Sequence, residues 1–92
     1  MKRNEHYFLR QIADTFFLVP SDEIQHEEKK MVFLNETGAF LWKAIGSGCT
    51  TEDLEMNLLK EYGVPEETAY RDIQEFIFFL SENGCLDLET EI

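Results

Sequence analysis

The sequence predicts an α+β domain in which three short strands are followed by three helices. Aromatic and β-branched residues cluster in short runs through the first third of the chain. Apolar residues recur at helical spacing through the remainder. Between the helical stretches, Asn35, Thr50, Gly63 and Pro65 stand where helices start or stop. In that order the elements make the layout of a winged-helix-like domain.

Tyr7-Phe8-Leu9-Arg10-Gln11-Ile12 and Thr15-Phe16-Phe17-Leu18-Val19 read as strands over residues 7–12 and 15–19, parted only by Ala13-Asp14, the spacing of a hairpin. Pro20, which has no amide hydrogen to donate, ends the second run. Residues 21–30 are polar, and their Glu27-Glu28-Lys29-Lys30 charges require solvent, so an exposed loop is expected there. Met31-Val32-Phe33-Leu34 resumes the β-prone pattern and gives a third strand over 31–34.

Asn35 is suited to cap the next element, a helix over 36–45 whose apolar stripe is Ala39, Leu41, Trp42 and Ile45. Gly38 weakens its first turn, and Gly46-Ser47-Gly48 stops it. Thr50 with Asp53 forms a capping box with Asp in place of the usual Glu, opening a second helix over 51–62. Leu54, Leu58, Leu59 and Tyr62 share one of its faces, and Gly63 is a natural C-terminal stop. Pro65 is tolerated at the start of the third helix, over 66–82, where Glu66 and Glu67 complement the positive end of the helix dipole. Ala69, Ile73, Phe76, Ile77 and Leu80 form its core stripe, and Asn83-Gly84 ends it. Phe78 and Phe79 fall outside that stripe. Phe79 shares a flank with Asp72 and Phe76, which makes that flank a candidate docking surface.

The 92 residues predict one domain, residues 1–92, and the 43% hydrophobic content with eight Phe is enough for a core. With 19 acidic against 8 basic residues, the formal charge of -11 repels nucleic-acid phosphates and anionic membranes, so neither is an expected partner. No apolar run approaches a membrane span, and Met1-Lys2-Arg3 is followed by Asn4-Glu5-His6 rather than an apolar signal stretch, which predicts a cytoplasmic protein. Cys49 and Cys85 lack the spacing of a disulfide scaffold and are expected as reduced thiols.

The short turn Gly63-Val64-Pro65 between two helices raises a DNA-binding helix-turn-helix. The charges oppose it, since residues 66–82 carry one base, Arg71, against Glu66, Glu67, Asp72, Glu75 and Glu82. His6, His26, Cys49 and Cys85 are scattered without metal-ligand spacing, and no carboxylate pair stands out for acid–base work. No cofactor, metal site or enzymatic activity is expected. Binding remains. Residues 31–34 at a sheet edge either accept a further strand through main-chain hydrogen bonds or are covered by the chain's own loop or tail, and pattern alone weighs these equally.

Leu34-Asn35-Glu36-Thr37-Gly38-Ala39-Phe40-Leu41-Trp42, then Gly48-Cys49-Thr50, then Asp72-Ile73-Gln74-Glu75-Phe76-Ile77-Phe78-Phe79-Leu80, with Leu18-Val19-Pro20 upstream, resemble the PqqD family. That family is named for coenzyme pyrroloquinoline quinone synthesis protein D and is the prototype of the recognition elements of ribosomally made, post-translationally modified peptides. The resemblance implies three antiparallel strands and three helices. It also implies a non-catalytic peptide chaperone: the leader of a precursor peptide adds as a strand along the third strand, lies against the third helix, and is presented to a separate enzyme, commonly a radical S-adenosylmethionine enzyme.

On this sequence the implied groove falls at Val32, Phe33 and Leu34 of the strand and Asp72, Phe76 and Phe79 of the helix. Leu34 and Phe76 occupy periodic positions that favour the core, whereas Asp72 and Phe79 leave the core face. Asn35, Trp42 and Thr50 also match the pattern and are assigned structural work, as caps or core. A second reading is an acidic winged-helix interaction module or regulator without a role in peptide processing. A precursor-peptide frame and a radical enzyme beside the gene favour the first reading, and a transcription operon favours the second.

Overall fold

A computed structural model describes residues 1–21 and 31–87. Among these, the strands are β1 (Lys2–Arg3), β2 (Tyr7–Ile12), β3 (Thr15–Pro20), β4 (Val32–Leu34) and β5 (Leu86–Asp87), and the helices are α1 (Glu36–Ile45), α2 (Thr51–Tyr62) and α3 (Glu66–Glu82). The expected loop over 21–30 lies outside the described residues except for Ser21.

β2, β3 and β4 form one antiparallel sheet in that order, confirming the α+β arrangement of three strands and three helices. Leu9 pairs with Leu18 and Leu18 with Val32, while Arg10 pairs with Phe17 and Phe17 with Phe33. Side chains alternate across a strand, so the first row faces the helices and the second faces away. Leu18, Val32 and Leu34 are accordingly buried and Phe33 is exposed, while Phe17 on the outer face is buried too, with the Phe33 ring edge-on to it. A one-residue slip of β4 would exchange these sets and put Phe33 into the core, which is what pins the register.

The hairpin between β2 and β3 turns at Ala13, whose φ of 54° lies in the left-handed region. A Cβ costs about 1–2 kcal/mol there. Glycine removes that cost and adds roughly 0.5–1 kcal/mol of chain entropy. Ala13→Gly is therefore expected to stabilise the fold by about 0.5 kcal/mol, read as a higher urea midpoint at unchanged slope.

Local chemistry accounts for the helix ends. Asn35 Oδ1 accepts from the Gly38 amide at 2.7 Å. Thr50 Oγ1 accepts from the Asp53 amide at 3.1 Å, and an Asp53 carboxylate oxygen accepts from the Thr50 amide at 3.0 Å. Gly63 closes α2 with a φ of 61°. The hydrogen bonds from Thr50 hold the Asp53 carboxyl below its ordinary pKa. A depressed folded-state pKa contributes stability that is present above the unfolded value and lost as pH falls through the folded one. Thermal melts in acid should therefore show a component of destabilisation, from the ordinary aspartate range downward, that Asp53→Asn lacks; identical acid profiles would refute it.

α1 packs on β3 and β4, α2 on α1, and α3 on α2 and β5, so that their stripes meet in one core. The core joins Leu18, Val32 and Leu34 to Leu41, Trp42 and Ile45 of α1, Leu54 and Leu58 of α2, and Ala69, Ile73 and Leu80 of α3. Each fully buried large apolar side chain contributes about 1.5–3 kcal/mol. Phe76 and Ile77 pack against this core while partly buried. Tyr62, expected on the core face of α2, instead sits at its margin, 42% exposed, with its ring edge-on to Phe40 at 5.6 Å. Its position at the last residue of the helix carries it past the packed layer.

Three further departures concern the strands. β3 includes Pro20, paired with Tyr7, at its end. β4 begins at Val32 rather than Met31, which is exposed. β1 and β5 form a two-residue ribbon, pairing Lys2 with Asp87 and Arg3 with Leu86, that local pattern did not mark. The Asn4 amide extends it by donating to the Cys85 carbonyl at 2.8 Å. Cys85 keeps a free, fully buried thiol whose pKa burial pushes up to about 11, so it is protonated and unreactive at neutral pH.

Candidate functional site

β4 is the last strand of its sheet, so its outer edge is unpaired among the described residues. Main-chain donors and acceptors along that edge can take another strand. Beside it runs an open groove of ≈ 490 Å³ between the start of α1 and one flank of α3. Leu34, Leu41, Phe76 and Phe79 give the groove apolar walls, and Asp72 with Glu75 adds negative charge along the α3 side.

Local packing sets the groove's width. A Cβ at Gly38 would stand 3.2 Å from Asn35 Oδ1 and 3.4 Å from Leu34 Cβ, closer than most real contacts. Absence of that atom lets α1 start directly against β4, with the Asn35 cap folded between them. Gly38 therefore does more than weaken the first turn. On the other wall, residues 72, 75, 76 and 79 share a helical flank at spacings of three and four, so two carboxylates and two rings line one side.

Of the six residues expected at the site, the structure brings five together: Phe33, Leu34, Asp72, Phe76 and Phe79 all line the groove. Phe33 is 64% exposed and meets Phe17 edge-on, with centroids 5.9 Å apart. Phe79 is 40% exposed, while Leu34 is buried in the core. Val32 does not line the groove. Its side chain is 4% exposed and faces inward, so it can offer an incoming strand only its backbone. Asp72 lies 3.9 Å from Arg71, an exposed pair that water screens and that is worth little.

Thr37, Gly38, Leu41 and Glu75 line the groove and were not singled out from sequence. Glu75 had a legible signal, three residues from Asp72 on the same flank. Thr37 and Gly38 had none, because their place at the groove depends on how α1 meets β4. Among the described residues, no three His, Cys, Asp or Glu side chains converge as metal ligands, and no helix is long and apolar enough to cross a membrane. The arrangement offers main-chain pairing, apolar pockets and negative charge.

Two solved structures share the fold. TbiB1, in complex with the TbiA(beta) leader peptide, superposes with a TM-score of 0.77 at 22% identity over 95% of both chains. Lasso peptide synthetase B1, complexed with the leader peptide, gives 0.72 at 24% identity over 91% of this chain and 93% of the other. None of the curated proteins compared with the sequence matches it significantly. Residues 20–86, which hold β4, all three helices and the whole groove, match the profile of coenzyme PQQ synthesis protein D, and the chain belongs to the PqqD family.

Proposed function

We propose that the chain is a non-catalytic adapter that binds the leader segment of a ribosomally made precursor peptide and presents it to a separate enzyme, a radical S-adenosylmethionine enzyme or another peptide-modifying enzyme. One observation carries this reading: a strand edge unpaired among the described residues runs alongside a groove with apolar walls and acidic residues on one side. An extended peptide added to β4 gains affinity from main-chain hydrogen bonds and specificity from alternate side chains that enter the groove. Leader peptides are bound by both TbiB1 and lasso peptide synthetase B1, whose folds this chain shares.

In this reading Val32 contributes its backbone. Leu34 and Phe76 form the floor, Phe79 supplies apolar contact area on the α3 wall, and Phe33 adds more at the rim, from the outer face of β4. Asp72 takes a basic or hydroxyl group of the leader. Residues 1–92 act as one recognition unit in the cytoplasm, with no cofactor of their own, and the iron–sulfur chemistry belongs to the enzyme.

The test is an amide NMR titration of the labelled protein with the leader half of the precursor encoded beside its gene. Saturable shifts confined to β4, the start of α1 and α3, at micromolar peptide, are the expected result. An unchanged spectrum at millimolar peptide overturns the proposal.

A further inference from the structure

A second groove lies between α2 and α3, and its position on α3 separates it from the site on β4. Its α3 residues, Glu66, Glu67, Tyr70 and Arg71, occupy the helical flank opposite Asp72, Phe76 and Phe79. On α2, residues 52, 55, 56 and 59 recur at helical spacing along the facing side. Leu59 is partly buried there, but Met56 is 56% exposed and Tyr70 58% exposed. Two large apolar side chains so placed give the fold little, and a Met beside a Tyr is a composition enriched where proteins meet.

The charge around these residues is one-sided. Glu52, Glu55, Glu66 and Glu67 line the groove, and Arg71 alone among the described lining residues opposes them, itself 3.9 Å from Asp72. An acidic or neutral helix would bring unfavourable charge or leave these carboxylates uncompensated. A lysine- and arginine-bearing one pairs with them and is steered in by the chain's net -11 charge.

We infer that the α2–α3 groove docks a basic amphipathic helix of a separate protein, whose apolar residues at three- and four-residue spacing pack on Met56, Leu59 and Tyr70 while its bases meet the four glutamates. Two packed helices with a groove between them can receive a third helix by ridge-into-groove packing. Because the groove and β4 lie on opposite flanks of α3, the helix and a leader can be held together. Assigning the helix to the modifying enzyme rests on the function proposed above; the surface does not.

The probe is a lysine-rich amphipathic peptide of about 16 residues with a leucine stripe, long enough to hold a helix. It is titrated into the labelled full chain alongside a glutamate-for-lysine analogue. Shifts confined to residues 51–62 and 66–71 are expected with the basic peptide and none with the acidic one. Glu52→Lys/Glu67→Lys should weaken binding about tenfold at low salt, and Met56→Ala/Tyr70→Ala by a similar factor. All four sites are exposed, so these variants should keep their melting temperatures. Shifts scattered over the surface or centred on β4, or affinity indifferent to the Met56/Tyr70 variant, overturn the proposal. So does a dimer in sedimentation that this variant dissolves, which would make a second copy the occupant. Adding the leader to the same sample reads the β4 site separately, so failure at one site is not mistaken for failure at the other.

Discussion

Phe79→Ala is expected to weaken leader binding about tenfold while leaving the melting temperature almost unchanged. The ring lines the groove yet remains 40% exposed, so the fold gains little from it and a bound peptide can cover it. Truncating a buried aromatic contact at an interface costs about 1–2 kcal/mol, which is the tenfold change. Phe33→Ala should act similarly from the rim at β4, with a small added cost from its edge contact to Phe17. The two residues belong to different elements, and their combined loss should approach about a hundredfold if the effects add. Phe76→Ala is the informative contrast. Phe76 packs against the core, so its truncation should lower stability as well as affinity. Fluorescence anisotropy of a labelled leader, paired with thermal melts, separates these outcomes. Parental affinity in the Phe79 variant would remove this flank of α3 from the site.

Trp42→Ala should be the most damaging single change to the fold, lowering stability by about 3–5 kcal/mol. Trp42 is 2% exposed in the central cluster, and the Arg3 guanidinium lies 5.4 Å from its ring centroid. Removing the indole opens a cavity between α1 and the sheet and releases the cation–π contact that ties β1 to the body of the domain. For 92 residues, total stability is on the order of 5–14 kcal/mol, so the loss takes a large share of it. The melting temperature by circular dichroism should fall by about 15–30 °C. Trp42→Phe keeps most of the ring volume and should retain a cooperative transition at intermediate temperature. A near-parental melt for the alanine variant would show that the indole does not organise the core.

The groove's acidic side adds an expectation about leaders rather than residues. With Asp72 and Glu75 on the α3 wall, affinity should be highest for leaders that place a base opposite them and should decline with salt. The formal charge of -11 also favours a basic leader, but total charge does not say where the carboxylates stand.

What the sequence by itself determined was whatever short-range chemistry controls. Asn35, Thr50 with Asp53, and Gly63 act as helix caps in the structure because capping depends on atoms three or four residues apart. The stripes of α1 and α3 were legible for the same reason, as was the flank bearing Asp72, Phe76 and Phe79. Tertiary structure alone decided the rest. The β1–β5 ribbon joins residues some 85 apart in strands too short to show a period. Gly38 reads as a weak helix residue until Leu34 is brought against it. Val32 and Phe33 are both β-prone and apolar, and only the pairing of β4 with β3 turns one into the core and leaves the other at the groove. Pairing across the sheet selects between the two faces of a three-residue strand, and so short a strand carries too little alternation to choose for itself.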